Sequence, residues 1–253
     1  MTSLRESRSP ALAGIVSLAE GSTADGAVFL APDVKGWFAS PEQGLVADIE
    51  AAAGAEAVSA AFARLAPSSM TVVAIADADD ACWAEVTRCA DGDTETCLVR
   101  LSYDAAGRVC RVVWLRAPFA PASAVAGSCD APDGRPILER YFAALQASRF
   151  CEAAASFALG TVYSHPPYGG GPERVLYRGR AALERGFAID RGPTPARQVI
   201  TAFSQQGDRA FVEGIIEGIP NGGTFFSTAQ ITPECEIARY VAFYSATRLA
   251  GHS

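Results

Sequence analysis

Four side chains on predicted strands have the chemistry of proton transfer. His165 ends the strand-like run "TVYSH", and Glu213 lies inside "RAFVEGIIEGI". Tyr240 and Tyr244 are separated by an even number of positions in "EIARYVAFYSATR" and therefore share one strand face. In an apolar pocket an imidazole or a carboxylate can act as the base, while a phenol donates to a developing oxyanion. The sequence thus makes His165 or Glu213 the candidate base and Tyr240 or Tyr244 the candidate donor.

Each of these candidates also has a structural interpretation. A histidine where a strand ends can simply bond to backbone, and strand tyrosines are common packing residues. Glu213 in "AFVEG" has a counterpart earlier in the chain, Glu85 in "CWAEV". A glutamate that recurs in this way favours a shared structural role, such as a buried ion pair, over catalysis. Both interpretations stay open on the sequence alone.

Further residues on the same elements are predicted to contact a ligand. Their rings would form the pocket wall, and their hydroxyl and amide groups would add polar contacts. They are Tyr163, Phe187, Phe203, Phe211, Thr228 and Gln230. The loop "YGGGPER" lacks the lysine of a phosphate-binding loop, so we interpret it as a lid over the pocket or an ordinary wide loop.

The elements that hold these residues form an internal repeat. "GAVFLAPDVKGWF" overlays "AASFALGTVYSHP", which places Trp37 over His165. "AEAVSAAFARL" overlays "RAALERGFAID", which places Phe62 over Phe187, and "GRVCRVVWLR" overlays "CEIARYVAFY". Because the order of the segments and the shift between them are nearly constant, we interpret the chain as a tandem duplication.

Each copy has the same predicted order of elements. In the second copy, apolar residues at helical spacing predict helices over "PILERYFAALQAS" and "RFCEAAASFA", the latter ended by Gly160. A short strand "TVYSH", a third helix "GRAALERGFAI" and four strands follow, with Gly-Asp and Asn-Gly-Gly turns between them. In the first copy the signals are weaker: helices near 10–20, 25–30 and 55–65, a strand at "VKGWF", and four strands after them.

The segment between the copies is predicted to be a linker. "RAPFAPASAVAGSCDAPDG" is rich in proline, alanine, glycine and serine, a composition typical of a connection rather than an element. We therefore predict a degenerate domain over 1–116, a linker over 117–134 and a second domain over 135–253. The first copy lacks the histidine and its third helix is mostly alanine, so the pocket is expected in the second domain.

This order of elements resembles the NTF2-like, SnoaL-like superfamily. The residues that carry the resemblance are "SFALGTVYSHPP", "YRGRAALERGF", "FSQQGDRAFVEG" and "EIARYVAFYSATR". The resemblance covers most of 133–249 and, more faintly, 8–116. It implies an α+β fold of two tandem cone domains, each with about three helices packed on a curved, mainly antiparallel sheet. Members commonly pair through the outer sheet face, which implies that the two domains pair within one chain and that further self-association can occur.

The resemblance also implies a range of functions. Its enzymes are cofactor-independent isomerases, cyclases and dehydratases that act on small, apolar, oxygenated metabolites through proton transfer. Other members bind a small molecule or a protein without chemistry. The two expectations are therefore a SnoaL-like enzyme of this type and, as the alternative, a non-catalytic binding or interaction module. Whether the protein is an enzyme stays open.

Composition narrows the classes of partner. The chain has 253 residues, 49% of them hydrophobic, with a net charge of -7 and a pI near 4.9. An acidic chain of this kind disfavours binding to nucleic acid. No apolar run reaches the roughly 18 residues of a membrane span, and "MTSLRESRSP" lacks the pattern of a secretion signal. We expect a cytoplasmic protein with neither a nucleic-acid nor a membrane partner, and its many alanines, with Lys35 the single lysine, are typical of a bacterial origin.

The cysteines and histidines disfavour a metal site. Seven cysteines occur without any CxxC pair, and the second histidine is His252, in the tail. Reduced thiols are therefore expected, with no metal and no cofactor. Cys89 and Cys97 flank a predicted hairpin turn and form the one pair for which a disulfide is considered.

Overall fold

The computed structural model describes ten stretches of the chain. They are residues 10–20, 27–39, 46–47, 49–64, 69–90, 93–118, 120, 130–168, 174–219 and 222–245. Most of the predicted linker and the glycines of "YGGGPER" lie outside these residues. The described residues belong to two compact units. A very short strand, β2 (Val46–Ala47), belongs to the second unit although the chain around it belongs to the first.

The first unit combines two helices with a six-stranded sheet. Its helices are Pro10–Ala19 and Ala55–Ala63, and a 3-10 turn covers Ala27–Phe29. Its strands are β1 (Leu30–Ala39), β3 (Ile49–Ala53), β4 (Ser69–Asp77), β5 (Ala81–Ala90), β6 (Asp93–Tyr103) and β7 (Val109–Pro118). They lie in the order β3-β1-β7-β6-β5-β4. Neighbouring strands are antiparallel, except that β1 runs parallel to β7.

The second unit has the same plan. Its helices are Arg135–Gln146, Phe150–Ala155 and Arg180–Gly186, the last continued by a π-helix over Phe187–Arg191. Its strands are β8 (Phe157–His165), β9 (Val175–Arg178), β10 (Arg197–Gln206), β11 (Arg209–Glu217), β12 (Thr224–Ile231) and β13 (Ile237–Ser245). They lie in the order β10-β11-β12-β13-β8-β9, with β13 parallel to β8. β2 also pairs with β13, in parallel.

One face of the second sheet packs against the helices. Because strand residues alternate between faces, every second residue enters this core. From the strands the core takes Val212, Phe225, Ala229, Tyr240 and Ala242. From the helices it takes Ile137, Leu138, Tyr141, Phe142, Leu145 and Leu183. The apolar face predicted for the first helix of this unit is therefore the face that packs in the core.

The duplication predicted from the sequence is confirmed by matching irregularities. The register slips between Val72 and Ala74 in β4, and again between Ile200 and Ala202 at the equivalent point of β10. In both units a glycine of positive φ precedes the helix that follows the short edge strand. It is Gly54 (φ 90°) in the first unit and Gly179 (φ 85°) in the second. A positive φ favours glycine because it has no Cβ. The two tandem α+β domains expected from the resemblance are thus present.

The structure corrects one detail of the repeat. In the parallel pairs, Trp37 lies opposite Val113 and Ser164 lies opposite Val241. Since Val113 and Val241 occupy equivalent positions in β7 and β13, Trp37 corresponds to Ser164. The counterpart of His165 is therefore Phe38. The predicted overlay of Trp37 on His165 was out of register by a single position, because the shift between β1 and β8 is smaller than that between the later strands.

Other differences concern element ends and edges. Residues 157–160 were predicted to end a helix, but β8 begins at Phe157, which turns inward to the core. The edge strands β3 and β9 were not predicted, because such short strands carry little periodicity. In the first unit the helix expected near residues 25–30 is only the turn Ala27–Phe29, and residues 21–26 lie outside the described part of the chain.

The described cysteines are free thiols. Cys89 lies opposite Thr94 and Cys97 lies opposite Val86, so the considered disulfide does not form. Burial raises the pKa of the Cys97 thiol, which keeps it protonated. Among the residues that the structure describes, no three His, Cys, Asp or Glu side chains form a group that could hold a metal. No helix in the described ranges is long and apolar enough to cross a membrane.

Candidate functional site

A cavity of about 410 Å³ opens in the second unit. Its wall is mostly apolar and aromatic, with a few polar groups, as is usual for small-molecule sites. The apolar part of the wall consists of Leu145, Pro166, Pro167, Ala196, Ile216, Ile219 and Gly223. The polar and aromatic part consists of Tyr163, His165, Tyr168, Arg191, Thr194, Gln198, Tyr244 and Ser245.

Strand ends position most of the wall. His165 is the last residue of β8, and Tyr244 lies at the end of β13, the parallel neighbour of β8. Gln198 enters from the beginning of β10, at the opposite edge of the sheet. The sheet edges and the helices between them therefore bring residues distant in sequence to one cavity.

A hydrogen bond joins His165 to Tyr244. The Nε2 atom of His165 lies 3.0 Å from the hydroxyl oxygen of Tyr244, and Nδ1 bonds to the carbonyl oxygen of Pro166. A carbonyl oxygen can only accept, so Nδ1 carries the proton of the neutral ring. Nε2 is then the acceptor, and the Tyr244 hydroxyl donates to it.

The surroundings of His165 keep its imidazole neutral. Burial lowers the pKa of His165 to about 3, and the positive charges of Arg174 and Arg191 act in the same direction. The bond to the Pro166 carbonyl opposes this shift only in part. The ring of Tyr163 is nearly parallel to the imidazole, at 7° and 5.9 Å between centroids. His165 is thus a fixed hydrogen-bond acceptor at neutral pH.

Three phenols form a chain of hydroxyl groups that ends at the cavity. The hydroxyl oxygens of Tyr141 and Tyr163 are 3.2 Å apart, and those of Tyr163 and Tyr168 are 3.5 Å apart. Burial raises the pKa of all three, so they stay protonated. Tyr141 lies in the core and Tyr168 in the cavity wall. A ligand oxygen beside Tyr168 would therefore meet a donor supported from behind by two more hydroxyls.

Arg191 is the one cationic side chain among the described lining residues. It ends the π-helix, whose wider turn is closed by the bond from the Gly192 amide to the Phe187 carbonyl. Its Nη1 donates to the carbonyl oxygens of Gly192, at 3.1 Å, and of Leu145, at 3.4 Å. Its Nη2 is buried and has no partner among the described residues.

Gln198 is the amide of the site. Its side chain hydrogen-bonds the Tyr244 hydroxyl, which lowers the pKa of that phenol against the larger effect of burial, which raises it. A hydrogen bond that lowers the pKa of a phenol stabilises the phenolate, so its partner must be a donor. The amide nitrogen of Gln198 therefore faces Tyr244. Its Oε1 is buried and has no partner among the residues described. Gln198, Tyr244 and His165 therefore form one relay of hydrogen bonds.

The cavity brings together three of the residues predicted for a site. They are Tyr163, His165 and Tyr244. Three more lie on the helix side of the sheet but away from the cavity wall. Tyr240 stacks on Tyr163, with centroids 5.3 Å apart, while Phe187 and Phe203 pack in or against the core.

The remaining predicted residues lie on the other face of the sheet. Val212 and Ile216 of β11 point to the helices, so the alternation turns Glu213 away from the cavity. Glu213 is fully buried there, and the structure does not bring it to His165. The same alternation turns away Phe211, Thr228 and Gln230, because their strand neighbours Val212 and Ala229 face the core. A prediction based on residue type alone had no means of choosing the face.

Several lining residues were not predicted. Arg191 lies in a π-helix, which has no distinct sequence pattern. Tyr168 follows Pro166-Pro167, which ends β8 and directs the chain over the cavity. Gln198 was within a predicted strand, but only the pairing with β11 shows which of its faces is internal. Ala196 and Gln198 are two positions apart and share one face of the predicted strand, and this was the only indication in the sequence that Gln198 faces inward.

The first unit carries charged side chains at equivalent positions. Three cavity residues have charged counterparts in the first unit. They are Ile216, Gly223 and Tyr244, and the strand pairing of the two sheets gives the match. Arg88, Glu95 and Arg116 occupy these positions, and both arginines reach Oε1 of Glu95 at 2.7 Å. Their side chains are 13%, 9% and 15% exposed. In the first unit a buried ionic cluster thus occupies three positions that line the cavity in the second.

Comparisons with known proteins bear on the fold. No protein-family model matches the chain, and no curated protein matches it either. An NTF2-like protein from Cytophaga hutchinsonii is 11% identical, with a TM-score of 0.35, over 44% of this chain and 89% of its own. A protein with a ketosteroid isomerase-like fold from Catenulispora acidiphila, in complex with trimethylamine, is 19% identical, with a TM-score of 0.36, over 46% and 87%.

A third solved structure also spans less than half of the chain. TerC, co-crystallised with polyporic acid, is 19% identical, with a TM-score of 0.37, over 44% of this chain and 91% of its own. Likenesses of this size say nothing about activity. The similar solved structures include NTF2-like, ketosteroid isomerase-like and polyketide cyclase proteins, each at low identity.

Proposed function

We propose that the second domain binds a small aromatic, oxygenated molecule in its cavity. The observation that carries this proposal is the hydrogen-bonded pair of His165 and Tyr244 in the wall of an apolar cavity of about 410 Å³. A volume of this size is typical of small-molecule sites. The rings of Tyr163, Tyr168 and Tyr244 offer faces and edges to a flat ligand.

Blocking the cavity tests this proposal. Ala196 lines the cavity, and a tryptophan there fills space that the ligand would take. With 2-naphthol as the probe, isothermal titration calorimetry is expected to show binding to the wild type and at least about 10-fold weaker binding to Ala196→Trp. Ala181→Trp, on the exposed face of the helix Arg180–Gly186, is the matched control and should bind as the wild type does.

The result that contradicts the proposal is equal binding to the wild type and Ala196→Trp. The same holds if neither 2-naphthol nor its carboxylate analogue 2-naphthoate binds at concentrations in the millimolar range. Thermal melts of both tryptophan variants establish that each is folded before its affinity is compared.

A second candidate function is proton transfer within the same cavity. The observation that favours it is the fixed tautomer of His165, whose Nε2 is unprotonated. Once the Tyr244 hydroxyl turns from Nε2 to the carbonyl oxygen of a substrate ketone, an α-proton of the ketone could pass to Nε2 while the C–H electrons move to that oxygen, giving an enolate and an imidazolium. The negative charge of the enolate, which lies beside Arg191, would stabilise the imidazolium and so offset the cost of burying its charge. The imidazolium exchanges its proton with solvent and then returns a proton, or in D₂O a deuteron, to a carbon of the enolate.

Exchange with solvent deuterium tests this second function. With 2-tetralone in D₂O, proton NMR measures the loss of the α-proton signal over time. The wild type is expected to accelerate this loss, and His165→Gln to reduce the acceleration at least about 10-fold. Equal rates with both proteins would exclude His165 as the base and leave binding as the function.

A further inference from the structure

Two buried polar atoms of the cavity wall have capacity left for a ligand. Nη2 of Arg191 is a donor, and Oε1 of Gln198 is an acceptor, and neither has a partner among the described residues. A buried polar group without a partner is destabilising, so folded proteins seldom leave such groups unpaired. Both residues line the same cavity.

The two atoms belong to side chains that are already fixed at their other ends. Arg191 is held through Nη1 by the carbonyl oxygens of Leu145 and Gly192. Gln198 is held through its bond to Tyr244, which in turn bonds to His165. The two side chains are therefore anchored at one end, and a small movement of the other end brings a donor and an acceptor to a ligand.

The charge of the wall has one sign. The described lining residues contain one arginine and no aspartate or glutamate. His165 is neutral, and its pKa and that of Tyr244 both respond to the positive charge of Arg191. The positive charge of the guanidinium therefore acts on both His165 and Tyr244. A negative ligand would be attracted there, because the low dielectric of an apolar wall strengthens the interaction.

Resting on the proposed function, we propose that the ligand is an aromatic anion that also carries a hydroxyl or amino donor. Its carboxylate or enolate oxygen accepts from Nη2 of Arg191, and its donor group bonds to Oε1 of Gln198. Tyr168 supplies a second donor to the anionic oxygen. A small movement of the two side chains into the cavity completes these contacts.

Matched probes test the anion on the unmodified protein. 2-Naphthoate and 2-naphthamide share one ring system and differ in charge. By calorimetry the wild type is expected to bind 2-naphthoate at least about 10-fold more tightly, as for other charge-assisted hydrogen bonds. Adding the hydroxyl, as in 6-hydroxy-2-naphthoate, should tighten binding again, by about 3-fold or more.

Two variants assign the contacts to residues. Arg191→Met is expected to remove the preference for 2-naphthoate, while binding of 2-naphthamide changes less than about 3-fold. Arg185→Met is the matched control, because Arg185 is exposed on the preceding helix and lies outside the cavity wall. Gln198→Leu should cancel the gain from the hydroxyl without affecting the preference for the carboxylate.

The outcomes separate this inference from the proposed function. If 2-naphthol and 2-naphthamide bind, Ala196→Trp blocks them and the carboxylate gives no gain, the anion is excluded and the binding function stands. If no probe binds the wild type, both proposals fail. The comparison of probes on the wild type decides the matter even if Arg191→Met does not fold.

Discussion

The hydroxyl group of Tyr244 donates a hydrogen bond of 3.0 Å to Nε2 of His165, while Nδ1 of the same ring donates to the Pro166 carbonyl. The imidazole is therefore held in one tautomer. Two-bond ¹⁵N–¹H correlation spectra should show His165 protonated at Nδ1 and unprotonated at Nε2 at pH 7. The chain has two histidines, so His165→Gln identifies the signal by its loss.

The pattern is expected to persist at pH 4.5. Burial lowers the pKa of His165 to about 3, so the ring is still neutral at a pH where an ordinary imidazole is charged. Protonation of both nitrogens at pH 4.5 would contradict the buried position of the ring.

The same pKa predicts how stability depends on pH. The folded pKa of about 3 lies below the unfolded value of 6.5, so the unfolded chain binds a proton first as the pH falls. The contribution is complete above about pH 6.5 and is lost between there and about pH 3, at up to about 1.4 kcal/mol per pH unit. Between pH 7 and pH 4.5 the free energy of unfolding should fall by about 2 kcal/mol more in the wild type than in His165→Gln. Urea titrations at several pH values measure this, and parallel curves would refute it.

The ionic cluster of the first unit should be sensitive to the loss of its anion. Glu95→Gln removes the carboxylate that the buried side chains of Arg88 and Arg116 share. We expect a loss of about 3 kcal/mol in the free energy of unfolding, as for other broken buried ion pairs. The control is Glu217→Gln, which breaks an exposed pair with Arg197 and should cost less than about 1 kcal/mol. Similar losses in the two variants would show that Glu95 is not needed for charge balance.

Gly186 lets Tyr177 pack under the π-helix. A Cβ at Gly186 would lie 2.1 Å from the Tyr177 ring, whose hydroxyl donates to Asp190 at 2.5 Å. Gly186→Ala should therefore destabilise the protein by about 1–3 kcal/mol. It should also weaken 2-naphthoate binding, because Arg191 follows Asp190. Gly160→Ala meets no atom within 4 Å and is the control for both measurements. If Gly186→Ala leaves the free energy of unfolding unchanged, the Tyr177 ring is free to move away from the added methyl group.

The sequence allowed the fold to be predicted better than the site. Repeated apolar patterns indicated the duplication and most strands, because burial leaves a period in the residues. The choice of sheet face depends on pairing, and this is why Glu213 was grouped with His165 although it points the other way. Arg191 was missed because its inward direction comes from a π-helix, which forms through packing rather than local preference.

The Arg88–Glu95–Arg116 cluster has a consequence for how the chain responds to its ligand. A symmetric pair of identical domains would offer two equal sites and scope for cooperativity. Here three cavity positions of the second unit carry the charge cluster in the first, so we expect saturation to follow a single hyperbola with one molecule bound per chain. On this expectation, duplication followed by such specialisation gives a chain without homotropic regulation, and it leaves the first unit free to evolve for stability alone.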